Sequence, residues 1–187
     1  NFLEGSGIKC ILFKWEKNDN TQELILTIKN ELQSMVNENA IRDLILPLYK
    51  KDVEGLDGIY HLLHVAHFGR LIAEVEYPKS IESVLLGCYL HDIGRGTGNA
   101  DGGESIAKQL LTENFPNLDI EKIVYAVKYH DKGLVTEDPL IGSIWDADRL
   151  SLFRLNITPK LNLLSTKRAK QLLDYSQKFI QEHFDEY

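Results

Sequence analysis

The sequence predicts an all-α fold, a bundle of about eight helices. Apolar residues recur at helical spacing along most of the chain, and no stretch shows the strict alternation of a strand. Glycine gathers in one place, GRGTGNADGG from Gly94 to Gly103, the one strongly irregular stretch within the body of the sequence. The chain has 187 residues, of which 43% are apolar. That length supports one compact domain over residues 1–187 with a real core, and the apolar content argues against disorder.

Each element has a local reason. Residues 1–20 are ambiguous, since Cys10-Ile11-Leu12-Phe13 suits a short strand or an apolar tail. A helix capped by Asn20 or Thr21 follows, with a stripe of Leu24, Ile28, Leu32, Met35 and Val36. A shorter helix covers Ile41 to Tyr49, with Pro47 a natural interruption. The next runs from Gly58 to Val75 and buries Val65, Phe68, Ile72 and Val75. The segment Ile81 to Ile93 is apolar nearly all round, as a central helix is, and Gly94 suits its stop. Further helices are expected over Gly103 to Phe115, before Pro116, and over Asp119 to His130. Another starts at Asp138-Pro139, with proline suited to the first turn, and carries Ile141, Ile144, Trp145 and Leu152. The last is expected over Ser165 to Phe184, capped by Ser165, with Leu172, Leu173, Tyr175 and Phe179 inward.

Composition narrows the function classes. Acidic residues number 28 against 21 basic ones, a net charge of −7. That balance lacks the basic footprint of a duplex-binding surface or an anionic-membrane binder. With Cys10 and Cys88 alone, no disulfide framework or four-cysteine zinc site can form. No apolar run approaches the roughly 20 residues that span a bilayer. No basic-then-apolar segment opens the chain, so a cytoplasmic location is expected. The apolar N-terminal segment is compatible with a homodimer contact or with packing on its own chain.

The informative residues are polar ones in phase with apolar stripes. Successive helical residues lie about 100° apart, which centres His61 on the face of Val65, Phe68 and Ile72. His64 is about 60° off that centre and His67 about 120° off. Asp148 is in phase with Ile141, Ile144, Trp145 and Leu152, whereas Asp146 points to another side. His130 continues the stripe of Ile123, Val124 and Val127, and His91-Asp92 stands at the edge of the glycine-rich stretch. A buried aspartate without a partner costs several kcal/mol or neutralises. Two histidines and two carboxylates aimed inward suggest a shared cation, and nitrogen and oxygen donors suit Mn, Fe, Co, Ni or Zn. Taken singly, each residue has a plainer role: a satisfied core histidine, an aspartate paired with Arg149 or Arg70, a His130 favoured by the helix dipole. His67 and His183 read as surface residues.

The ordered set of these residues resembles the HD-domain superfamily of metal-dependent phosphohydrolases. The first motif reads HLLHVAHFGRLIAE from His61 to Glu74, and the Val-Ala placed four residues on selects His61. The doublet stands in LLGCYLHDIGR as His91 and Asp92, and the closing DADRL supplies Asp148. The likeness covers about Gly58 to Leu155 and extends more loosely through the last helix. It implies an all-α bundle with a buried metal site whose ligands are His61, His91, Asp92 and Asp148. The implied cofactor is one divalent ion, Mn, Co, Ni, Fe, Mg or Zn. A second is the lesser expectation, because only His130 lies between the doublet and Asp148. The chain also departs from the family by carrying Asp101 in DGGESIA where many relatives have histidine, and His64 where arginine is frequent.

The activity implied is hydrolysis of a phosphoester in a nucleotide or other small phosphorylated metabolite. A divalent ion lowers the pKa of bound water from about 15.7 towards 7. Asp92 is the catalytic candidate, able to ligate through one oxygen and orient the attacking water with the other. Arg95 is a candidate phosphate clamp, with a solvated loop charge as its plainer role. His64, His130 and Asp101 are candidate substrate contacts, and an Asp146 ion pair is the plainer role for Arg149. The alternative is a metal- or nucleotide-binding regulatory module with little catalysis. A di-iron oxygenase would need more histidines, and a purely structural bundle would bind no metal.

Overall fold

A computed structural model describes residues 37–49, 58–98 and 102–183. Two compact units divide the chain, Asn1–Ala40 and Ile41–Tyr187. The second holds α1 (Ile59–Glu76), α2 (Ile81–Leu90), α3 (Ile93–Thr97), α4 (Gly103–Asn114), α5 (Ile120–Tyr129), α6 (Pro139–Leu150), α7 (Lys167–Gln171) and α8 (Leu173–His183). Residues 41–45 are helical, and Pro47 then converts the chain to a 3-10 turn at Leu46–Leu48. No strand occurs among the described residues, and the fold is all-α as the periodicity predicts. None of the described helices is long and apolar enough to cross a membrane. The segment 1–20 and the helix expected from Asn20 through Val36 lie outside the described residues.

Side chains cap four of these helices, whereas α1 and α4 start at Gly58 and Gly102 without one. Ser80 accepts from Ser83 N–H to start α2, Asp119 from Lys122 N–H to start α5, and Thr166 from Ala169 N–H to start α7. Asp138 accepts from both Leu140 and Ile141 N–H at α6, and Pro139 occupies the first turn. The core forms around α2, whose Val84, Leu85, Leu86, Cys88, Tyr89 and Leu90 are all buried. Each such side chain stabilises the fold by about 1.5–3 kcal/mol relative to exposure. Helix α1 packs most extensively on α6 and then on α2, while α4 and α5 form an adjoining pair. Trp145 locks α6 to α5 by donating Nε1–H to the Ala126 carbonyl at 2.9 Å.

Several boundaries differ from expectation. The central helix ends at Leu90, not Ile93; Asp92 leaves the helical region at φ −106°, ψ 18°, and Gly94 lies inside α3. The stop falls at Gly98, whose φ of 78° is the left-handed conformation that glycine adopts cheaply. Helix α6 ends at Leu150, leaving Leu152 in a following 3-10 turn over Ser151–Leu155. The last helix is two, interrupted at Leu172, and its cap is Thr166 because Ser165 Oγ accepts from Thr136 N–H instead. Tyr175 is exposed and Ser176 and Ile180 are buried, since the break resets the helical phase. Val75 is 60% exposed in the open last turn of α1. His67 and His183 are half-buried, each stacked on the Phe179 ring, at centroid distances of 4.1 and 4.6 Å.

Candidate metal centre

Four elements bring the site together. Helix α1 supplies His61, the end of α2 supplies His91, the turn after it Asp92, and α6 Asp148. His61 and His91 are both buried, as is Asp92. The Nε2 atoms of His61 and His91 are 3.0 Å apart. Asp148 Oδ1 is 3.4 Å from His61 Nε2 and 3.7 Å from His91 Nε2. Asp92 Oδ2 is 3.4 Å from His91 Nε2 and 3.8 Å from His61 Nε2.

These spacings test the fit of a cation. Donors bonded at about 2.1 Å to one ion, at angles of 90–109°, lie about 3.0–3.4 Å from each other. The observed separations fall in or just outside that range. His91 Nδ1–H donates to the Cys88 carbonyl at 2.7 Å, so a neutral His91 turns its Nε2 lone pair into the cluster. Burial, with Arg154 and His91 nearby, pushes His61 well below the usual imidazole range and keeps it neutral. Asp92 moves the other way. Burial alone would raise it, but His91, His130 and Arg95 outweigh that and hold the carboxylate ionised. Nitrogen lone pairs and carboxylates without matching protons are the donor set of a divalent ion.

Two groups of potential ligands overlap here. His61, His91 and Asp148 offer ligand atoms within 4.8 Å of one another, and so do His91, Asp92 and His130. His130 Nδ1–H donates to the Val127 carbonyl at 2.7 Å, and its Nε2 faces Asp92 Oδ1 at 3.4 Å. Burial lowers the pKa of His130, but Asp92 and the Val127 carbonyl reverse this and leave it raised. Asp92 Oδ1 is buried without an aligned hydrogen bond among the described residues, although Arg95 Nη1 stands 3.0 Å away.

A cavity of about 350 Å³ opens beside His91, Asp92 and His130. Its rim carries three cations, Arg95, Lys128 and Lys132, and two acids, Glu104 and Asp131. Arg95 lies on α3 rather than in a loop, is 55% exposed at its side chain, and touches Asp92. Lys128 pairs with Glu104 at 2.7 Å and Lys132 with Asp131 at 3.0 Å.

Other expectations resolve differently. His64 does not line the cavity. It is as buried as His61 and its Nε2 donates to the His183 carbonyl at 3.0 Å, which ties α1 to the end of α8. Asp101 lies outside the described residues. Asp146 is fully buried and accepts from Ser165 N–H, Thr166 N–H and the Thr166 hydroxyl at 2.7–2.9 Å. Arg149 is its ion-pair partner at 3.4 Å and donates to the Leu134 and Leu163 carbonyls. Arg149 thus pairs with Asp146, while Asp148 Oδ1 stands 3.4 Å from His61 Nε2. Sequence reasoning missed Lys128, Asp131, Lys132 and Glu104. The one legible signal among them was the second His-Asp doublet, His130-Asp131.

The family model described as HD domain matches residues 58–172 of the chain. No curated protein and no solved structure matches it.

Proposed function

Because the chain belongs to the HD-domain family of metal-dependent phosphohydrolases, we propose that it hydrolyses a phosphoester of a small phosphorylated metabolite, nucleotides included, at a site in which His61, His91, Asp92 and Asp148 hold one divalent ion. The observation that carries this reading is the convergence of His61 Nε2, His91 Nε2 and Asp148 Oδ1 within 3.0–3.7 Å, next to a cavity rimmed by cations. A bound ion would supply an activated water and offset charge on the phosphoryl oxygens.

The chain's own residues provide the remainder. Asp92 has two differently placed oxygens: Oδ2 faces His91, and Oδ1 faces the cavity side, where Arg95 and His130 stand. Oδ1 is therefore placed to orient an attacking water by accepting its hydrogen bond. Arg95 offers a planar fork suited to phosphate oxygens, and Lys128 and Lys132 add charge at the rim. Each of these three cations has an acidic neighbour, which an incoming phosphate group would replace as partner. His130, with its raised pKa, is placed to hold a proton at Nε2 facing Asp92 and the cavity.

The test is phosphoester hydrolysis, read as phosphate release from monoesters and as monoester formation from cyclic nucleotides and other diesters. Chelated protein is reloaded separately with Mn, Co, Ni, Mg, Fe(II) or Zn and offered nucleotides, cyclic nucleotides and simple phosphoesters. Turnover with one metal, lost in Asp148→Ala, supports the proposal. Metal uptake with no turnover on any of these would favour the binding-module reading.

A further inference from the structure

We propose that Ser151 is a positioning residue that fixes His61 in its Nδ1–H tautomer and so keeps the Nε2 lone pair available to a cation. The inference rests on the metal reading above. It starts from a problem the geometry creates. With His61 Nε2 and His91 Nε2 3.0 Å apart, a proton on His61 Nε2 would make a direct hydrogen bond to His91. His91 cannot donate in the other direction while neutral, since its one proton sits on Nδ1 against the Cys88 carbonyl. The Nε2–H tautomer of His61 would thus close the cluster upon itself, using both lone pairs that a metal needs.

Ser151 decides against that tautomer. Its hydroxyl is fully buried, immediately after α6, and 3.2 Å from His61 Nδ1. A hydroxyl has one proton to donate and two lone pairs to accept with. The proton goes to the Asp148 carbonyl at 2.7 Å. Arg154 Nη1, which is always a donor, takes one lone pair at 2.9 Å. What remains toward His61 is an acceptor, so His61 Nδ1 must carry the hydrogen. Arg154 also donates to the Ser151 backbone carbonyl at 3.2 Å, which holds the 3-10 turn in place. Ser151 therefore touches three parts of the site at once: the ring of one ligand, the backbone of another, and a fixed cation.

Histidine tautomers can be read directly by long-range proton–nitrogen correlation NMR on the metal-free full chain, at about pH 8, above the ordinary imidazole pKa of about 6.5. In the unaltered protein both His61 and His91 should show the Nδ1–H pattern. Ser151→Ala should move His61 to Nε2–H and leave His91 unchanged, because the Cys88 carbonyl holds the latter independently. Ser151→Cys, close in volume but a weak acceptor, should act in the same direction if the alanine variant folds poorly. Ser151→Thr, which retains the hydroxyl, should restore the unaltered pattern. Calorimetric titration with Co(II) should give a dissociation constant about 10- to 100-fold weaker for the alanine variant, the usual effect of losing a group that orients a ligand. A His61 that is already Nε2–H in the unaltered protein would overturn the proposal. So would an alanine variant with unchanged tautomer and unchanged Co(II) affinity while Asp148→Ala loses the ion. If the unaltered protein takes up no Co(II), the metal reading falls and the proposal with it.

Discussion

His61 Nε2 and His91 Nε2 stand 3.0 Å apart although the residues are 30 positions distant in sequence and on different helices. The Cys88 carbonyl and the Ser151 hydroxyl occupy the far sides of the two rings, so both open nitrogens face each other and the carboxylates of Asp92 and Asp148. A divalent ion held by this arrangement in the folded state would have no preformed site in the unfolded chain. A ligand at about 100 times its dissociation constant stabilises by about 2.7 kcal/mol. For a chain of this size that corresponds to a rise in Tm of about 5–11 °C. Scanning calorimetry of chelated and Co(II)-loaded protein should show it, and His61→Ala should abolish it.

The two aspartates of DADRL should separate cleanly by experiment. Asp146 neutralises buried Arg149 and anchors the segment before α7 by accepting from Ser165 N–H, Thr166 N–H and the Thr166 hydroxyl. Asp146→Ala leaves that guanidinium uncompensated and is expected to cost about 3–5 kcal/mol in denaturant unfolding. Asp148→Ala should leave metal-free stability little changed but remove metal uptake. The reverse outcome would assign the ligand role to Asp146.

Tyr49 and Gly96 form a packing pair that can be tested by a double-mutant cycle. Tyr49 donates its hydroxyl to the Tyr89 carbonyl at 2.9 Å, and its ring covers Gly96 so closely that a Cβ there would overlap it. Burial and the nearby Asp92 raise the Tyr49 pKa, which keeps it a neutral donor. Gly96→Ala is expected to cost about 1–3 kcal/mol through overpacking. In a Tyr49→Ala background the same change should cost much less, with a coupling of at least 0.5 kcal/mol, at the lower end of about 0.5–3 kcal/mol for contacting residues. Additive effects would show that the ring does not restrict this turn.

Acid should loosen α6 at its start. Burial would raise the Asp138 pKa, but Lys122 at 2.8 Å and the Leu140 and Ile141 N–H groups outweigh it and leave it lowered. A depressed folded-state pKa means that this stabilisation is fully present above the ordinary Asp value of about 3.9. It is lost as pH falls through the lower folded-state value. Asp138→Asn, which can still cap, should flatten that part of the stability–pH curve, and Asp138→Ala should cost about 1 kcal/mol at neutral pH. Urea unfolding between about pH 2 and 7 reads both.

Much of the architecture follows from local pattern. Apolar spacing determined the helical class, the buried central α2, and the inward phase of His61 and Asp148, because a helix places each residue by rotation along a single axis. Capping chemistry placed the starts of α5 and α6 at Asp119 and Asp138. The motif order from His61 to Asp148 carried the family. Tertiary structure decided what no single helix contains. The break after Leu90 accompanies the His91 Nδ1–H bond to the Cys88 carbonyl and turns Asp92 toward its cluster. His64 shares a helix face with His61 yet is taken by the His183 carbonyl, 119 positions away. Ser151 lies 90 positions from the ring it orients. Periodicity reports which side of a helix is inward. The atom that meets a side chain there is supplied by another helix, and only the packed chain specifies it.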